Sequence, residues 1–119
     1  MKLNFHLWLF TFSLAVVALG CHSHGIDITI QNNAKVPLRN VEVDYPGAAF
    51  GTAVIAPGAS FWYHIKPLQD GDVTLGFEPE NGKSFKQKQA AVRMRDTGRL
   101  IIIVEQDASQ QWHTRIEKK

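Results

Sequence analysis

From Ile26 onwards apolar and polar residues alternate in short runs. Ile26, Ile28 and Ile30 alternate with Asp27, Thr29 and Gln31; Val41, Val43 and Tyr45 alternate with Glu42 and Asp44; Val73, Leu75 and Phe77 alternate with Thr74, Gly76 and Glu78. A period of two turns one face of each segment toward a core and the other toward water, the pattern of a half-buried strand. Phe61, Tyr63 and Ile65 alternate likewise with Trp62, His64 and Lys66, and a short, weaker strand is predicted over 51–55. The run Leu100-Ile101-Ile102-Ile103-Val104 is apolar on both faces, which predicts a central strand covered on both sides or bordering a second sheet. Trp112, Thr114 and Ile116 share one face of a closing strand.

Turn chemistry divides these segments. Asn32-Asn33 marks the first turn, and Pro46-Gly47 stops the second strand. Pro57-Gly58 suits the centre of a type II turn, because proline presets its own φ and glycine accepts the positive φ that follows. Asp70-Gly71-Asp72 reads as a turn rather than a calcium loop, since the ligand series and closing glutamate of such a loop are missing. Asn81-Gly82 accepts the backbone of a primed hairpin turn, so residues 73–78 should pair with 83–89. Seven or eight short strands without helical spacing predict an all-β antiparallel sandwich over residues 26–119. Ile28, Ile30, Val41, Val43, Phe61, Ile65, Leu75, Phe77, Ile102, Val104 and Trp112 are its expected core.

The run Asn32-Asn33 to Val36-Pro37-Leu38-Arg39-Asn40-Val41-Glu42-Val43, followed by Ala56-Pro57-Gly58-Ala59-Ser60, resembles the small immunoglobulin-like and fibronectin-III-like domains of bacterial envelope proteins. The resemblance spans nearly all of residues 26–116 and implies a module that binds, spaces or braces. A cysteine pair between the sheets and a strand C tryptophan are both missing, which sets the chain apart from antibody domains.

The N-terminal pattern is different. Lys2 precedes an apolar run from Leu7 to Leu19, too short for the roughly 20 residues of a membrane-crossing helix and ending in small residues, as in a secretory signal. Residues 1–20 are therefore expected to be a removable signal peptide. The segment Val17-Ala18-Leu19-Gly20-Cys21 resembles the lipobox of bacterial lipoproteins, although its leucine stands one step later than usual. That resemblance implies lipidation of Cys21, a tether over residues 21–25, and, with His22 next, sorting to the outer membrane facing the periplasm. Ala18 and Gly20 also fit ordinary signal cleavage and a secreted soluble protein.

Composition narrows the chemistry. Cys21 is the single cysteine of 119 residues, so no intrachain disulfide and no Cys-x-x-Cys pair can form. Thirteen basic against eleven acidic residues give no bias toward nucleic acid. Neither Gly-x-Ser-x-Gly nor His-Glu-x-x-His occurs, and Ser60, Ser84 and Ser109 sit beside turns, so a non-enzymatic protein without metal or cofactor is expected. His22 and His24 read as part of a solvated tether, while His64 and His113 lie on different predicted strands, either facing each other or as separate surface residues.

Two candidate surfaces remain. Trp62 is either part-buried at the sandwich edge or turned outward beside His64 as an aromatic contact for a sugar ring. Lys83, Lys86, Lys88, Arg93, Arg95 and Arg99 lie within 17 residues against one acid, Asp96. They form either a binding face for anionic lipid, lipopolysaccharide phosphate or an acidic protein, or the guard of an edge strand. The expected function is a lipid-anchored envelope module that binds or braces another envelope component, with a glycan- or peptidoglycan-fragment-binding module as the alternative.

Overall fold

The computed structural model describes residues 24–79 and 83–119; the leader, Cys21 and the Glu80-Asn81-Gly82 turn lie outside them. Eight strands follow one another: β1 (Gly25–Asn32), β2 (Leu38–Tyr45), β3 (Ala48–Ile55), β4 (Ser60–Ile65), β5 (Gly71–Glu78), β6 (Phe85–Val92), β7 (Thr97–Gln106) and β8 (Trp112–Lys118). They form two four-stranded sheets, ordered β4-β1-β7-β8 and β3-β2-β5-β6. The all-β sandwich predicted by the alternation is present. Its neighbours are antiparallel except β1 and β7, which run parallel from Gly25 opposite Thr97 to Asn32 opposite Val104. An immunoglobulin constant-type order would place the first two strands side by side, whereas β1 and β2 lie in opposite sheets here. The likeness to immunoglobulin-like domains is thus one of architecture, two packed sheets, and not of strand order.

The core lies where the two inner faces meet. Ile28 stands between Tyr63 and Leu100, and Ile30 between Phe61 and Ile102. Leu38, Val43, Val73 and Leu75 of the second sheet are fully buried against them, as are Ile102 and Val104. Phe77 stacks on Phe85 at 4.7 Å and meets Trp112 edge-on at 5.0 Å, closing the far side of the core. Phe61 and Trp112, expected inside, are partly buried at its margin. Among the described residues the apolar residues of this core fall between Ile26 and Ile116, and the eight strands between Gly25 and Lys118, so residues 24–119 hold both sheets and the core between them.

Three local features depart from simple alternation. β3 begins at Ala48, earlier than predicted, because Pro46-Gly47 is a two-residue turn with Gly47 at φ 100 that sets Tyr45 directly opposite Ala48. Small exposed alanines gave no alternation there to read. β3 can close on β2 only with glycine at 51, since a Cβ there would lie 2.3 Å from the Val41 carbonyl oxygen. In β2 the register toward β5 shifts between Arg39 and Glu42, with Asn40 at φ 47; this bulge lets both Leu38 and Val41 face the core. Asn32, read from sequence as part of a turn, is the last residue of β1 and fully buried. Its side-chain nitrogen donates to the Val36 and Ile55 carbonyls, and its oxygen accepts from the Ala34 N–H, all within 3.0 Å.

The strands run nearly the full height of the sandwich, so the loops gather at two poles. One pole, the base, is where the chain enters at Gly25; it holds the turns 46–47, 66–70 and 93–96 and the C-terminus. The distal pole holds 33–37, 56–59 and 107–111.

Candidate interaction surfaces

Register decides what β4 shows to solvent. Ile26, Ile28 and Ile30 of β1 face Ile65, Tyr63 and Phe61, which turns Phe61 and Ile65 inward and leaves Trp62 on the outer face. Trp62 is 66% exposed, in one row with Thr29 and Ile101. The outward alternative is therefore the observed one. Tyr63, at the edge of the inner face, is half exposed and stacks on Phe50 at 4.7 Å. From Pro46 to Tyr63 the chain carries no charged residue, so β3 and β4 give the sandwich one uncharged side. On the same outer face Ile103 is buried although no further sheet covers it; its row neighbours are the long polar side chains of Gln31 and Arg115, whose apolar stems can shield it.

The histidines take separate partners. β4 and β8 are opposite edges of one sheet, so His64 and His113 do not face each other; two strands stand between them. His64 Nδ1 lies 2.8 Å from Asp27 Oδ1, and Nε2 lies 3.2 Å from the His24 carbonyl. The ring thus ties β4 to β1 and to the entering chain. His113 Nε2 lies 2.7 Å from Asp107 Oδ2, while Asp107 Oδ1 accepts from the Ser109 and Gln111 N–H groups. The His113 hydrogen bond, followed by the one from Gln111, holds the Asp107 carboxyl below the usual carboxylate range. Among the described residues no group of three or more His, Cys, Asp or Glu side chains is arranged to hold a metal ion.

The six cations singled out in sequence are not one patch. Lys86 and Lys88 project from β6, an edge strand, and Lys88 pairs with Asp72 at 3.2 Å; Lys83 lies before that strand, toward the distal pole. Arg93 and Arg95 belong to the turn at the base, and Arg99 is the third residue of β7, near the same end. The fold brings three further cations to that base, Lys66, Lys118 and Lys119, with Lys119 and Arg99 joined by paired backbone hydrogen bonds of 3.0 Å. Linear spacing missed these three; counting alternate up and down strands would have put 66–70, 93–96 and the C-terminus at one end. Two exposed apolar side chains join them, Leu68 at 69% and Met94 at 52%. Their turns are tied together, as Leu68 N–H donates to the Pro46 carbonyl at 3.2 Å and Met94 N–H to Asp70 Oδ1 at 2.9 Å. Beside them opens a recess of about 100 Å³ with Ile26, Val92 and Leu100 at its floor and Arg99, Lys118 and Lys119 at its rim.

No protein-family model matches the sequence, and no curated protein matches it at a significant level. Among solved structures, a protein from Eubacterium rectale determined by NMR is similar, with a TM-score of 0.62 and 13% sequence identity over 82% of this chain and 92% of that chain. At that identity the likeness is one of fold.

Proposed function

We propose that this chain is a non-enzymatic module of the bacterial cell envelope, held at a membrane by lipid on Cys21, whose sandwich binds or braces another envelope component. The observation that carries the binding role is Trp62, two-thirds exposed on an outer sheet face beside Thr29 and Ile101 and at the margin of an uncharged side. An aromatic ring left in water on a rigid strand offers a partner a large apolar contact with little ordering cost. The anchor rests on the sequence Ala18-Leu19-Gly20-Cys21 and on the position of β1, which begins four residues after the cysteine.

A second reading draws on the same ring. Ser60, Gln31, Asp27 and His64 surround Trp62 on that face, and a sugar stacks on an indole while bonding to polar neighbours, so a peptidoglycan or other glycan fragment is the alternative ligand. A photo-crosslinking residue in place of Trp62 in the full chain, expressed in its host, separates the two. A discrete protein adduct absent when the probe replaces Arg115 supports the first reading. Glycan adducts support the second, and no position-dependent adduct removes Trp62 as the contact. Anchoring is read from the mass of the N-terminal peptide, where an unmodified Cys21 contradicts it.

A further inference from the structure

We infer that the base of the sandwich is a docking surface for anionic lipid headgroups, so that the domain stands upright on the membrane instead of hanging from its tether. The charge distribution points there. Lys66, Arg93, Arg95, Arg99, Lys118 and Lys119 converge on the base, and none of the six is in a side-chain ion pair among the described residues. The acids beside them are fewer and are turned to other partners: Asp70 accepts from the Met94 N–H, Asp96 Oδ2 from the Arg93 N–H at 2.8 Å, and Asp27, opposite Arg99, lies 2.8 Å from His64. Away from the base Arg115 is paired with Glu105 and Glu117 and Lys88 with Asp72, and Lys35, Lys83 and Lys86, which are also in no side-chain ion pair among the described residues, do not converge on one surface.

Apolar exposure points the same way. Leu68 and Met94 project from tied turns between these cations, an arrangement in which apolar tips enter the headgroup boundary while the cations meet phosphates. The direction of the chain supplies the third argument, and this part rests on the anchor proposed above. His24 lies at the base, and the three residues back to Cys21 span at most about 11 Å. A lipid on that cysteine therefore holds the base within reach of the surface potential, which decays over about 8 Å at physiological salt. Lys83, Lys86 and Lys88 lie away from this surface and take no part in it.

Vesicle binding of residues 24–119 tests the inference without the anchor. The expected result is binding to phosphatidylglycerol vesicles, none to phosphatidylcholine vesicles, and loss of binding in high salt. Arg93→Gln, Arg95→Gln and Arg99→Gln together should weaken binding about 100-fold, since each surface cation is worth about fivefold. Lys83→Gln, Lys86→Gln and Lys88→Gln together should change it less than about twofold. Circular dichroism of each variant checks that the sheet content is intact. No binding of the parent to anionic vesicles overturns the inference, as does equal weakening by the two triple variants. A soluble acidic protein competing away all vesicle binding from Arg93, Arg95 and Arg99 at equal charge concentration also contradicts a lipid surface. Because this segment lacks Cys21, its failure leaves lipidation untouched, and an unmodified Cys21 leaves the vesicle result standing.

Discussion

At the distal pole the loops close on polar side chains: Asn32 bonds three backbone groups from full burial, and Asp107, at the surface, gathers Ser109, Gln111 and His113. At the base the turns are tied as firmly, but through groups that leave Leu68, Met94 and six cations facing outward. None of the large exposed apolar residues lies in the distal turns 33–37, 56–59 and 107–111. Two sets of loops on one sandwich have thus resolved differently. Both sets use carboxylate or amide groups on their own backbone, but at the base, beyond Asp70 and Asp96, six cations stay outside any side-chain ion pair among the described residues.

The largest expected effect comes from breaking the distal pole. Asn32→Ala leaves the Ala34 N–H and the Val36 and Ile55 carbonyls without that partner, and thermal or urea unfolding should show a loss of about 3 kcal/mol. A loss below about 0.5 kcal/mol would mean that the buried amide is not what closes this pole. Gly58→Ala comes next. Gly58 has φ 78 and the Ala59 N–H closes the turn onto the Ala56 carbonyl at 3.0 Å. A Cβ there meets nothing, so the cost is the backbone conformation alone, about 1 kcal/mol.

The base should respond oppositely. Leu68→Ser with Met94→Ser should leave stability within about 0.5 kcal/mol, because both side chains are exposed, while binding to anionic vesicles falls. A marked drop in melting temperature would instead make these residues structural. The smallest effect is the acid response of Asp107. Its carboxyl titrates below the ordinary carboxylate range when folded, so its contribution is present above the unfolded value and disappears as pH falls through the lowered folded one. The Ser109 and Gln111 amide resonances should move in that acid window and stay still in Asp107→Asn.

Much of this architecture was legible because local chemistry and global packing agreed. Ile28, Val43, Leu75 and Ile102 fall inward on alternation alone, and Pro57-Gly58 forms the turn its φ preferences demand. The parallel pairing of β1 with β7 was not legible, since alternation fixes which face a strand buries and says nothing about its neighbour. β3 escaped in part because Ala48 and Ala49 pair through their backbones without burying side chains. The candidate surfaces divided likewise. Trp62 was readable once Phe61 and Ile65 were assigned inward, but the base was not, because Lys66, Arg93 and Lys118 meet only through the strand order.

The two poles can be compared on a membrane in one measurement. Residues 24–119 contain no cysteine, so a spin label introduced through Met94→Cys or Ser109→Cys reports one pole at a time. On phosphatidylglycerol vesicles, electron paramagnetic resonance should show the label at 94 accessible to lipid-soluble oxygen and shielded from a water-soluble nickel chelate, with the label at 109 showing the reverse. Equal exposure of both labels to the chelate on bound protein would contradict an upright domain seated on its base.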